Sequence, residues 1–141
     1  MRKVILADTG FWLGLIDPRD NFHNSANAIS ELIDGNTILF PWPCLYETIS
    51  TRMVRKRAQL LHLEKLLSQT SVILIDDNDY RINALSSVFE INQRTGRAYS
   101  LVDSVVREII KDDNLKMDYF ITFNNSDFAD VCSARKLEIL Q

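Results

Sequence analysis

An α/β fold, a three-layer α/β/α arrangement with a central, mainly parallel sheet, is predicted by the way short apolar runs of strand length alternate with longer stretches of helical periodicity. Two further observations agree with it. Gly35 and Gly96 stop the helical stretches they follow. The composition, 46% hydrophobic and 25% charged over 141 residues, suits one soluble globular domain spanning 1–141 with one main core.

The elements follow in order. Residues 3–7 form a short buried strand, and Asp8, Thr9 and Gly10 break it before an apolar helix over 11–16. Residues 21–33 carry Ala26, Ile29, Leu32 and Ile33 on one helical stripe, and 37–40 form a second strand. Pro43 suits a first helical turn, with Leu45, Ile49 and Met53 continuing as a stripe, so Glu47 is expected early on that helix. A second amphipathic segment covers 60–67, a strand 71–75 and a helix 79–93. Leu101, Val102, Val105, Val106, Ile109 and Ile110 then make a wide apolar stripe, with Ser100 as N-cap and Asp103 in the first turn. A strand over 119–122, a turn at 124–126, a helix over 127–135 and a strand over 137–140 complete the chain.

Several function classes are excluded. The net charge of −3, from 16 basic and 19 acidic residues, argues against coating nucleic acid through bulk electrostatics. No apolar run approaches the roughly 20 residues needed to cross a bilayer, no signal-peptide core follows Met1, and the expectation is a cytoplasmic protein without membrane contact. Glycines at 10, 14, 35 and 96 are too scattered for a phosphate loop. His23 and His62 lack partners at zinc spacing, and Cys44 and Cys132 read as buried reduced thiols.

In open parallel sheets, sites form outside the carboxyl ends of the strands, where connections diverge. Asp8 and Asp127 follow strands, Asp103 opens a helix, and Glu47 comes shortly after the second strand with its side chain leaning back toward the same edge. Close carboxylates do not all stay ionised without compensation, and a hard divalent cation with oxygen ligands supplies it, here Mg²⁺ or Mn²⁺. Singly, each acid also has a role without chemistry: Asp8 as a cap, Asp103 in a capping-box variant with Ser100, Asp127 on a helix dipole, Glu47 on a solvated face.

Val4-Ile5-Leu6-Ala7-Asp8-Thr9-Gly10, Tyr46-Glu47-Thr48, Ser100-Leu101-Val102-Asp103 and Ile121-Thr122-Phe123-Asn124-Asn125-Ser126-Asp127-Phe128 resemble the successive motifs of PIN domains, as does His23 with Ala26 three residues on. The likeness spans nearly the whole chain, whose length is similar to VapC-type toxins of toxin-antitoxin pairs. It implies a Mg²⁺- or Mn²⁺-dependent endoribonuclease acting on RNA, with an antitoxin protein as partner and a homodimer as a further expectation. On this resemblance Asp8, Glu47, Asp103 and Asp127 are the catalytic set, Asp8, Asp103 and Asp127 hold metal, and Thr122 and Asn124 make minor contacts. Many members have an Asp where this chain has Asn124, which leaves open a non-catalytic RNA- or protein-binding module with a weakened metal site. Arg52, Arg55, Lys56 and Arg97 are the candidate RNA contacts, weighed against solvated helix ends.

Overall fold

The apolar segment at the amino terminus pairs on both sides and becomes the middle of the sheet. In the computed structural model, which describes residues 1–141, β1 (Val4–Ala7) lies between β2 (Thr37–Pro41) and β4 (Tyr119–Ile121). β3 (Val72–Ile75) and β5 (Glu138–Leu140) form the edges, giving the order β3-β2-β1-β4-β5. All pairings are parallel, so the sheet is wholly rather than mainly so.

Eight helices connect these strands: α1 (Thr9–Ile16), α2 (His23–Leu32), α3 (Trp42–Thr48), α4 (Thr51–Val54), α5 (Arg57–Leu67), α6 (Arg81–Thr95), α7 (Leu101–Lys111) and α8 (Ala129–Arg135). Parallel crossovers are right-handed, so their direction along the sheet decides the face each helix covers. From β1 the chain steps to β2 and then β3, which puts α1 to α5 on one face; from β3 it jumps to β4 and steps to β5, which puts α6 to α8 on the other. The packing agrees: α1 rests on α2, α3 and α5, while α7 rests on α6 and α8. The three-layer expectation therefore holds. The two directions separate between β1 and β4, and a crevice opens there at the carboxyl ends of the strands.

One core unites the layers. Phe11, Trp12, Phe40, Phe120 and Phe128 are fully buried, with Trp12 stacked on Phe40 at 4.1 Å between ring centroids. Cys44 and Cys132 are free and buried, as expected, and burial raises both thiols far above their ordinary range. No helix is long and apolar enough to cross a membrane.

Two boundaries differ from the sequence reading in ways that affect the site. The helix expected to run through Leu45, Ile49 and Met53 breaks at Ile49, whose φ of −90° and ψ of 64° leave the helical region. Thr48 Oγ1 donates back to the Cys44 carbonyl at 2.7 Å and Ser50 caps a new helix through Met53 N, so local hydroxyl bonds compete with continuation. Glu47 thus sits near the end of a short helix, not early on a long one. Asp127 closes a 3-10 turn, Asn125–Asp127, ahead of α8, where a single helix over 127–135 was expected. Phe128, buried against Phe120 at 5.1 Å between centroids, separates the two.

Gly14 lets α1 approach α2: a Cβ there would lie 3.0 Å from Ala26 Cβ and 3.3 Å from the Phe22 carbonyl oxygen. Gly14→Val is expected to force the pair apart and to cost about 2 kcal/mol in a urea melt, the scale of core overpacking. An unchanged midpoint would mean that the two helices separate freely.

Candidate functional site

Asp8 ends β1 and caps α1, and both jobs follow from its place in the sequence. Its amide donates to the Ile121 carbonyl at 3.0 Å, fastening the end of β1 to the end of β4. Its carboxylate accepts from Thr9 N at 2.8 Å through Oδ1 and from Thr122 Oγ1 at 3.1 Å through Oδ2. Thr9 Oγ1 in turn donates to Glu47 Oε1 at 2.7 Å. Thr122 Oγ1 also accepts from Asn124 N at 3.0 Å, and the Asn124 side-chain amide donates to Asp127 Oδ2. A continuous chain of bonds thus runs from Glu47 through Thr9, Asp8, Thr122 and Asn124 to Asp127. Five of these six are residues expected at the site from the sequence, the acids Asp8, Glu47 and Asp127 with Thr122 and Asn124 as minor contacts; Thr9 was expected only to break the strand within the first motif.

Asp103 belongs to the same neighbourhood without joining that chain. Its carboxylate accepts from Ser100 N at 3.2 Å while Ser100 Oγ accepts from Asp103 N at 3.0 Å, so the expected capping contact forms in full. Electrostatics ties it to the others. Burial, then the charges of Asp103 and Glu47, push the Asp8 carboxyl up to about 6 against the favourable bonds from Thr9 and Thr122. Asp103 is also raised, by burial first and by the charge of Asp127.

No group of three or more acidic, His or Cys side chains is closed to metal-holding geometry. Asp103 is turned onto Ser100 and Asp127 onto Asn124. The donor set still fits a hard divalent cation, because it is all oxygen, largely carboxylate, and includes a buried carboxylate that is unfavourable as an anion by itself.

Arg107 is the residue that sequence reasoning missed. It lies one turn beyond Asp103, is itself buried, and donates to the Asp127 carbonyl at 2.7 Å. Its guanidinium forks onto Asp130 at 2.7 and 2.8 Å and stacks over Tyr99, 4.5 Å from the ring centroid. α7 thereby holds the turn that carries Asp127. The signal was available: an arginine inside the Val105 to Ile110 apolar stripe demands a buried partner.

Basic side chains flank the acids on two sides. A cleft of about 430 Å³ is lined by Glu47, Arg19, Arg52 and Lys56, with Asp17, Asp20 and Asn21 also on its walls. A second, of about 410 Å³, is lined by Arg94, Arg97, Arg107, Ser126 and Asp130. Of the four cations marked in the sequence, Arg52 and Lys56 reach the first cleft and Arg97 the second, while Arg55 is exposed and lines neither.

The fold recurs in solved structures. Mycobacterium tuberculosis VapC20, a Sarcin-Ricin loop cleaving toxin, superposes with a TM-score of 0.70 at 20% identity, over 89% of this chain and 94% of that one. The fold is that of a PIN domain. Two other PIN-fold structures are similar: Rickettsia felis VapBC2 bound to a DNA fragment from its promoter, with a TM-score of 0.61, 18% identity and 96% of each chain covered, and Neisseria gonorrhoeae FitAcB, with a TM-score of 0.62, 11% identity, and 97% of this chain and 96% of that one covered. No family model and no curated protein matches the sequence. Identities of 11 to 20% carry the fold alone.

Two outcomes follow from this geometry. An acid whose carboxyl is raised from 3.8 to about 6 by folding loses nothing while protonated and destabilises the fold as pH rises through that window. In EDTA, Asp8→Asn is therefore expected to match the wild type at about pH 4 and to exceed it at pH 7 by up to about 3 kcal/mol in urea melts. A difference that does not change with pH would remove burial as the cause. Arg107→Met, which keeps the packing on Tyr99 but strips the donors from the Asp127 carbonyl, is expected to cost about 1 to 3 kcal/mol by the same measurement, and equal stability would show the tie to be idle.

Proposed function

We propose that this protein is a divalent-metal-dependent endoribonuclease, the toxin of a two-component toxin-antitoxin pair. The observation that carries the reading is the gathering of Asp8, Glu47, Asp103 and Asp127 at the switch point of a PIN fold, with burial raising both Asp8 and Asp103, Asp8 further through the charges of Asp103 and Glu47 and Asp103 through that of Asp127. The likeness to the VapC20 toxin, which cleaves the Sarcin-Ricin loop, supports a ribonuclease, and the likeness to VapBC2 and FitAcB supports an antitoxin partner.

Asp8, Asp103 and Asp127 would hold Mg²⁺ or Mn²⁺. When bound, the cation supplies a Lewis acid for the scissile phosphate and makes water a better nucleophile near neutral pH. The protein's own groups do the rest. Thr122 and Thr9 fix the rotamers of Asp8 and Glu47, which leaves a Glu47 oxygen free to orient the attacking water and take its proton. Asn124 and Arg107 hold Asp127 from its side chain and its backbone. Arg52, Lys56 and Arg97 lie where flanking phosphates would pass. An apolar groove of about 570 Å³ along α5, lined by Ile49, Leu60, Leu61, Leu63 and Leu67, offers the antitoxin or a second copy of the chain a surface to cover.

The rival reading, a binding module with its metal site weakened at Asn124, loses support from the role that Asn124 takes. It bridges Thr122 and Asp127 and so helps assemble the acids.

Purified protein is expected to cut a mixed cellular RNA pool with Mg²⁺ or Mn²⁺ and to stop in EDTA. Asp8→Asn and Asp103→Asn should each lower the rate by at least about 100-fold, as loss of one essential electrostatic group does. Cutting that persists in EDTA or in both variants would sink the proposal.

A further inference from the structure

Phe22 ends the loop that joins α1 to α2, and it is 44% exposed. Two carboxylates fix that loop: Asp17 Oδ1 accepts from Arg19 N at 2.9 Å and Asp20 Oδ1 from Phe22 N at 2.8 Å. The Phe22 carbonyl accepts from Ala26 N at 2.8 Å and packs close to Gly14. With its backbone held at both ends, Phe22 lays its ring on Phe123, the centroids 4.6 Å apart and the planes 4° from parallel. Phe123 stands between Thr122, which donates to Asp8, and Asn124, which donates to Asp127. A rigid aromatic plate therefore lies at the rim of the carboxylates.

Packing alone does not explain this choice. Closing the α1 to α2 loop asks only for an apolar side chain at 22, whereas a coplanar stack with an exposed partner extends a flat π surface outward. Cations lie beside it. Arg19 belongs to the same loop, and with Arg52 and Lys56 it lines the cleft that reaches Glu47. Asp17 and Asp20 line that cleft too, Asp17 facing Lys56 at 3.7 Å, so Arg19 and Arg52 are its cations without a carboxylate partner.

We propose that Phe22 is a base-stacking platform: an unpaired nucleobase adjoining the scissile phosphate lies on its ring while the next phosphate meets Arg19 and Arg52. The proposal rests on the ribonuclease reading and sharpens its substrate to RNA that is single-stranded at the cleavage position, since a paired base cannot present its face.

The test is fluorescence anisotropy with three labelled probes, with Ca²⁺ in place of Mg²⁺ to hold cleavage back: a short single-stranded RNA of mixed sequence, a blunt duplex of it, and an abasic ribose-phosphate oligomer of equal length. Phe22→Leu is expected to weaken binding of the natural single strand about tenfold, Phe22→Tyr to restore it, and both to leave the abasic oligomer and the duplex as the wild type binds them. Thermal melts of both variants report folding separately. The platform is overturned if Phe22→Leu binds the natural strand like the wild type, or if it loses natural and abasic strands by the same factor. Wild-type protein that binds no strand overturns it together with the ribonuclease reading. Metal-dependent cleavage alongside an indifferent Phe22→Leu overturns the platform alone.

Discussion

The bond from the Asp8 amide to the Ile121 carbonyl holds together two strand ends whose chains then leave in opposite directions. Parallel pairing stops there, α1 starts on one face of the sheet, and the turn toward α8 starts on the other. A gap is unavoidable at such a place, and its walls must be polar because helix amides and strand carbonyls both end in it. Asp8 meets those demands with one side chain. Its carboxylate answers a helix amide and a strand-end hydroxyl at once, yet it stays unfavourable as an anion because water is largely excluded. The remaining acids gather around a group whose charge the fold alone does not compensate.

Hydroxyls and amides keep the acids apart and in order. Thr9 stands between Asp8 and Glu47, and Thr122 with Asn124 stands between Asp8 and Asp127. Each spacer donates to a carboxylate, so the repulsion between neighbouring acids is lessened without any of them being neutralised by a lysine or arginine. Arg107 works differently. Its guanidinium is paired with Asp130 and eases Asp103 only through space, while its second contact is to a neutral carbonyl. It therefore positions Asp127 through the backbone and leaves its carboxylate without an arginine partner.

What the sequence made legible was whatever is written locally. Asp8 follows an apolar run and precedes a glycine, Ser100 and Asp103 have capping spacing, and the helical stripe from Leu101 to Ile110 has the right period; all three are relations within a few residues, and the strand and helix order followed from them. The break at Ile49 was hidden because the apolar period continues through it, Leu45 and Met53 both being buried, while the hydroxyls of Thr48 and Ser50 redirect the backbone. The helix expected over 127–135 begins only at Ala129, because Phe128, buried against Phe120, separates the turn that ends at Asp127 from α8. Thr9 and Arg107 act across 38 and 20 residues of sequence, on Glu47 and Asp127, and no local pattern records a partner that far away.

α7 is fastened along its whole length. Ser100 and Asp103 close its first turn, Arg107 grips Asp130 in its middle, and Arg135 donates to the carbonyls of Ile110, Asp112 and Leu115 at its end. The Arg107 and Arg135 contacts tie the helix to α8 and its flanking turns, so the freedom left to Asp103 lies in its own side chain, which is held only by the local cap on Ser100. Rotamer changes at partly exposed residues take picoseconds to nanoseconds, whereas shifts of whole helices take about microseconds to milliseconds. A divalent cation of the kind proposed for this site would therefore need only a side-chain rotation at Asp103, and no movement of α7 as a body, to be met by it.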